Sequence, residues 1–182
     1  MNLNSRFRIT LFAVLVPFFM QAQAVYVIDS SSVTFVVKNA GFDVDGSFRD
    51  MQADITFDPG DLDKSSITAS LPAATIKTGI GMRDKHLRKY DYFDVEQFPH
   101  IEMASRGFKK TGDGRYIGTF LLGLKGTEKE IQFPFSFTQK GNQSVLEGSF
   151  TIDRKAYGIG GESMTLADEV TVRIYVVVRK EL

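Results

Sequence analysis

Apolar and polar residues alternate with a period of two in one short segment after another, and a chain patterned this way is committed to sheet. The clearest segment is 169–179, where Val170, Val172, Ile174, Val176 and Val178 share one face and Thr171, Arg173, Tyr175 and Arg179 the other. Segment 128–139 repeats the pattern with Ile131, Phe133, Phe135 and Phe137 on one side. Its Pro134 predicts an edge, a bulge or an unbonded position. The same reading gives strands at 26–39, 47–57, 65–77, 100–109, 115–124 and 144–153. Between them lie turn signals: residues 41–46, Asp58-Pro59-Gly60, Thr111 to Gly114, Lys125-Gly126 and Gly141-Asn142. Eight antiparallel strands with mostly short connections predict an all-β, up-and-down barrel of lipocalin-like size. Such a barrel is wide enough either to be filled by side chains or to hold one ligand.

One stretch breaks the pattern. Residues 78–99 show no alternation, and 82–90 are rich in helix formers, with Asp84 four residues before Arg88. Tyr90, Tyr92, Phe93 and Phe98 then follow, interleaved with Asp91, Asp94 and Glu96. A long connection in an all-strand domain is usually functional or tightly packed. The stretch therefore predicts a short helical cap between strands three and four. Its aromatics either reach into a cavity with charges at the rim, or simply plug the barrel end.

The first 24 residues read as a signal peptide: Arg6 and Arg8, an apolar run over 9–20, and Ala22-Gln23-Ala24 before the cut. The expected products are an exported, periplasmic protein and one domain spanning 25–182. The chain has no cysteine, so neither a lipid anchor at the cleavage site nor a disulfide framework is available. Without Arg6 and Arg8, 20 basic side chains face 22 acidic ones and form no basic stripe, which argues against nucleic acid. Of 16 phenylalanines, 12 fall in 25–182, where there is no tryptophan; apolar aromatics of this kind suit a greasy interior.

His86 and His100 are the only histidines and have no cysteine partners, so no metal site is expected. Asp43-x-Asp45-Gly46 lacks the spacing of a calcium loop, and Gly158 to Gly161 does not join a strand to a helix. No G-x-S-x-G elbow occurs. Arg83, Asp84 and His86, and the pair Asp153-Arg154, could hydrogen-bond a polar head group at a barrel mouth or pin loops to the wall.

With these residues in hand, the chain resembles the YceI-like family of exported lipid- and polyisoprenoid-binding proteins. The resemblance spans residue 26 to about 178. It is carried by Val33-x-Phe35, Gly46-Ser47-Phe48, Thr78-Gly79 and, most specifically, Arg83-Asp84-Lys85-His86-Leu87. Tyr92-Phe93-Asp94 leading to Phe98-Pro99, the Gly123 to Thr127 hairpin, Asp153-Arg154 and Tyr157-Gly158-Ile159 complete it. The resemblance implies a barrel whose apolar bore takes an isoprenoid chain, the tail of a quinone or of a lipid carrier, with no reaction catalysed. Phe35, Val37, Phe48, Phe133, Phe135, Phe137, Phe150 and Ile152 are the candidates to line the bore, joined by Leu87 and Phe93 from the cap. Arg83, Asp84, His86 and Arg154 are the rim candidates for a head group. Family members often carry histidines flanking the first strand, where this chain has Ser30 to Ser32 and Asn39, so its head-group preference stays open.

Transient membrane contact and a homodimer are compatible with this reading, and no resident cofactor is expected beyond a bound isoprenoid lipid or quinone. Two other readings compete with it. One is an enzyme acting on an isoprenoid lipid with Asp84, His86 or Asp153 as acid or base. The other is a small outer-membrane barrel, which shows the same period but fits poorly with a charged cap and a Lys180-Glu181-Leu182 ending.

Overall fold

The computed structural model describes residues 24–181, so the leader read over 1–24 lies outside it except for Ala24. Nine strands form one sheet: β1 Val25–Asn39, β2 Phe42–Phe48, β3 Gln52–Thr56, β4 Ser66–Pro72, β5 His100–Gly112, β6 Arg115–Leu124, β7 Thr127–Lys140, β8 Gln143–Asp153 and β9 Leu166–Lys180. All neighbours are antiparallel, and β1 pairs with β9 from Tyr26↔Lys180 to Asn39↔Leu166, which closes the sheet on itself. Both β2 and β3 pair with β1, on its far and near halves. Together they make one interrupted strand, and the closed barrel has the eight-strand girth that the sequence predicts.

The interruption is where sequence and structure part. Residues 41–46 read as a turn, yet Phe42–Phe48 is a strand, and the reversal is confined to Ala40 and Gly41, both at positive φ (51° and 84°). Two central residues at positive φ are what the twist of an antiparallel hairpin favours. The predicted strand 47–57 is instead split at residues 49–51, with Asp50 at φ 62°. The Thr75 hydroxyl accepts from the Arg49 N–H, and its one proton faces the carbonyls of Pro72 (2.7 Å) and Arg49 (3.1 Å), tying the break to the end of the third strand. The third strand stops at Pro72, sooner than 65–77 suggests, because a 3-10 turn, Ala73–Thr75, follows it.

Pro134 lies where its missing N–H matters least. It faces Ile117 on the β6 side, and the ladder from β7 to β8 begins only at Phe135↔Gly148. The 3-10 helix Arg154–Tyr157 and the segment after it fold over the region where β7 and β8 separate. There Tyr157 and Ile159 pack with Leu122 and Leu124.

The two halves of the interior differ. Towards the end holding Tyr26, Phe57 and the β5–β6 turn, rings fill the bore: Phe57 touches Phe108, Tyr116, Phe135 and Phe137 at centroid distances of 4.8–5.7 Å. The space left by Gly118 and Gly148 is taken by the rings of Phe120 and Phe133. This end is a stopper of interlocked aromatics, mostly edge-on as their quadrupoles favour. The other half, under the cap, is open.

Candidate functional site

The open half of the barrel encloses a cavity of about 420 Å³, within the range of small-molecule sites. Its wall is built from inward-facing positions of almost every strand. β1 supplies Val33, Phe35 and Val37; β2 supplies Val44 and Phe48; β4 supplies Ala69 and Leu71. β5 and β6 add Ile101, Met103, Leu122 and Leu124, β8 adds Phe150 and Ile152, and β9 adds Val170, Val172 and Ile174. Phe150 stands at the boundary with the stopper, its ring 4.7 Å from that of Phe133. Gly46 makes room for Phe35: a Cβ there would collide with the ring.

The cap closes over this bowl. Its helix α1, Gly81–Leu87, is shorter than the 82–90 predicted. The chain folds back at once, with Phe93 N–H donating to the Leu87 carbonyl and Val95 N–H to that of Arg88. Leu87, Tyr92 and Phe93 reach the cavity wall, and Phe93 meets Phe48 at 5.6 Å. The cap therefore takes the cavity-facing form of the two readings open to it. Polar groups gather at the mouth: Asn39, Thr78, Arg83, His86, Ser163 and Thr165.

Seven of the ten bore candidates, Phe35, Val37, Phe48, Leu87, Phe93, Phe150 and Ile152, line the cavity. Phe133, Phe135 and Phe137 do not; they face inward on β7 as their alternation requires, but in the stoppered half, where they are buried in the aromatic core. Alternation shows which face is inward. It does not show how far along the barrel axis a residue lies, since that depends on the stagger between strands.

The four rim candidates divide as well. Asp84 is buried beneath the cap, and Thr78 donates to its Oδ1 from both the backbone N–H (2.8 Å) and the hydroxyl (2.6 Å). The Thr78 hydroxyl, helped by the Arg88 and Arg83 charges and opposed by burial, holds this carboxyl below the ordinary value of 3.8. Arg83 lines the mouth, donating from Nε to the Thr78 hydroxyl and from Nη2 to the Thr78 carbonyl. His86 also reaches the wall, with Nε2 3.1 Å from Asp91 and its ring against Tyr92.

Arg154 touches the cavity, but its guanidinium is committed to the chain itself. Nε donates to Ala167 O; Nη1 to Ile159, Gly160 and Gly161 O; and Nη2 to Leu166 O and Asp168. All five donors of the fork are engaged, which pins the loop after Tyr157 to the start of β9 and leaves the group buried.

No group of three or more potential metal ligands occurs among the described residues. Nor is any described helix long and apolar enough to cross a membrane. Sequence reasoning left unnamed as site residues the β9 valines, Ala69 and the residues of β5 and β6 that complete the wall. The alternation of 170–178 was visible, but the cavity half of β9 is set by its pairing with β1.

With that geometry established, the YceI-like domain model matches residues 26–178. Proteins described as UPF0312 are similar: one from Azotobacter vinelandii is 29% identical over 162 residues, covering 83% of this chain and 84% of that one. Another, from Pseudomonas savastanoi, is 29% identical over 151 residues, covering 77% and 79%. Among solved structures, Burkholderia cenocepacia BcnA superposes with a TM-score of 0.77 at 25% identity, covering 81% of this chain and 95% of that one. A polyisoprenoid binding domain from Saccharophagus degradans, implicated in plant cell wall breakdown, superposes with a TM-score of 0.68 at 11% identity, covering 88% and 100%; at that identity the likeness is one of fold.

Proposed function

The chain belongs to the YceI-like domain family, and from that premise we propose that its cavity holds the tail of a polyisoprenoid lipid, making the protein a non-catalytic carrier or sequestering protein. The observation that carries this reading is the apolar bowl under the cap, backed by the aromatic stopper, with polar side chains where the cap and the 163–165 segment meet it. Apolar surface in such a bowl favours a hydrocarbon occupant by roughly 25 cal/mol per Å² removed from water, while the mouth leaves a quinone ring or phosphate head in contact with Asn39, Arg83 and His86. The description of the Saccharophagus domain as polyisoprenoid-binding supports the choice of tail. Export to the periplasm, read from residues 1–24, places the carrier beside membranes that contain such lipids.

Two of the three candidate groups of the enzymatic alternative are already engaged within the chain. Asp84 is buried, doubly hydrogen-bonded and kept ionised, and His86 is held by Asp91. The test is mass spectrometry of an organic extract from the natively purified protein. A polyprenyl or quinone species at one equivalent is the expected result. An empty extract, together with failure to take up added isoprenoid, overturns the reading.

A further inference from the structure

The large apolar side chains left in water are unevenly distributed. The four most exposed, Met164, Met82, Tyr90 and Phe42, all sit on segments at the open end, and Ile80 joins them. The remaining ones, Val25, Val27 and Tyr175, are each about half shielded. Every open-end member is one or two residues from the cavity wall. Met164 lies between Ser163 and Thr165, Met82 beside Arg83, Ile80 two after Thr78, Tyr90 two before Tyr92 and Phe42 two before Val44. Phe42 shares the inward face of β2 with Val44 and Phe48, yet it is 77% exposed because the barrel has ended beneath it. The three segments are tied together, Ala40 N–H to Thr165 O and Ser47 to Lys77 through paired backbone bonds.

Charge accompanies this apolar ring. Residues 77–89 carry Lys77, Arg83, Lys85, Arg88 and Lys89 against Asp84; the acids of the cap, Asp91, Asp94 and Glu96, follow beyond them, with Asp91 paired to His86. Lys77, Lys85 and Lys89 are exposed and form no ion pair among the described residues. On the two facing segments Asp43 is matched by Lys38, and Glu162 and Asp168 by Lys155, while Asp45 and Glu169 form no ion pair among the described residues. Exposed apolar groups beside unmatched cations are what an anionic bilayer surface attracts, the former by burial at the acyl boundary and the latter by the surface potential.

We propose that Phe42, Ile80, Met82, Tyr90 and Met164 form a docking rim that seats the mouth of the cavity on an anionic lipid bilayer, so that an apolar tail passes between membrane and bore without crossing water. The rim deepens the lipid-carrier reading and rests on it, but its test is read separately.

The natively purified protein is floated with vesicles of phosphatidylethanolamine and phosphatidylglycerol, and with vesicles of phosphatidylcholine alone. It is expected to float with the anionic vesicles and to be released as salt is raised. Phe42→Glu/Met82→Glu/Met164→Glu, one change in each segment, is expected to weaken flotation about tenfold or more while leaving the unfolding midpoint and the extracted lipid unchanged. Equal flotation of the variant, or no flotation of the parent, overturns the rim. Should the parent be a dimer that the triple variant dissociates, without vesicle binding by either, the surface is an interface between copies and the rim is likewise overturned. Flotation of a protein that takes up no isoprenoid retains the rim and discards the lipid cargo; a loaded protein that ignores vesicles does the reverse.

Discussion

The ring of Tyr92 rests on Gly160, so closely that a Cβ built on the glycine would overlap the ring, and Gly160 N–H donates to the Asp91 carbonyl at 2.8 Å. This is where the cap meets the loop that Arg154 holds. Gly160 also sits at φ 55°, a region that favours glycine. Gly160→Ala should therefore both strain the backbone and lift the cap, costing about 1–3 kcal/mol. Gly161→Ala, where nothing lies within 4 Å of the added carbon, serves as the control. Urea unfolding of the two variants checks the difference.

Asp84 anchors the other end of the cap through Thr78, and its folded pKa lies below 3.8. A carboxyl with a depressed folded pKa contributes stability that is present above its unfolded pKa and lost as pH falls through the folded value. Wild type should exceed Asp84→Asn in unfolding midpoint at pH 7, and the gap should narrow as pH drops below about 3.8. Thermal melts from pH 7 to 3 measure it; a constant gap would show that the charge of Asp84 is not what holds the cap.

The Tyr157 hydroxyl is buried with no hydrogen-bond partner among the described residues, and burial raises its pKa. Leaving a buried polar group unsatisfied costs roughly 1–3 kcal/mol. Tyr157→Phe keeps the ring against Leu122 and Leu124 and removes the orphan oxygen, so it should stabilise the fold by about 1 kcal/mol. A denaturant midpoint no higher than wild type contradicts this.

Stopper and bowl should separate under mutation. Ala69 lines the cavity, and Ala69→Phe should fill it, lowering affinity for a fluorescent isoprenoid analogue about tenfold or more, or ~1.4 kcal/mol, with little loss of stability. Phe137 belongs to the stopper, in contact with Phe57 and Tyr26. Phe137→Ala should cost about 3–5 kcal/mol of stability and leave affinity, measured well below the melting temperature, nearly unchanged. A reversed pattern would mean that the cargo occupies the wrong half of the barrel for the proposed site.

These contrasts also show what could be read from the chain beforehand. The inward faces of β1, β7, β8 and β9 were legible because a period of two fixes them, and the helical cap announced itself by breaking that period. Axial position was not legible. Phe133 and Phe150 both face inward and touch, yet Phe150 belongs to the cavity wall and Phe133 to the filler. Their outer neighbours decide between them: Phe133 lies opposite Gly118 of β6, in the stopper, and Phe150 opposite Val172 of β9, in the cavity wall. Nor could the sequence show that Arg154, charged and placed at a strand end, would direct every N–H to its own chain. Its partners are mainly backbone carbonyls from residues 159–161 and the first residues of β9, and carbonyls have no sequence signature.

The aromatic stopper makes the bore a tube with one door. On the proposed lipid-carrier reading a guest would enter tail first, its head coming to rest at the threshold wherever the tail ends. It would leave by backing out the way it came, so that nothing would pass through and a second guest would wait for the first. What happens at the doorway, between Asn39, Arg83 and His86, would then govern both loading and release.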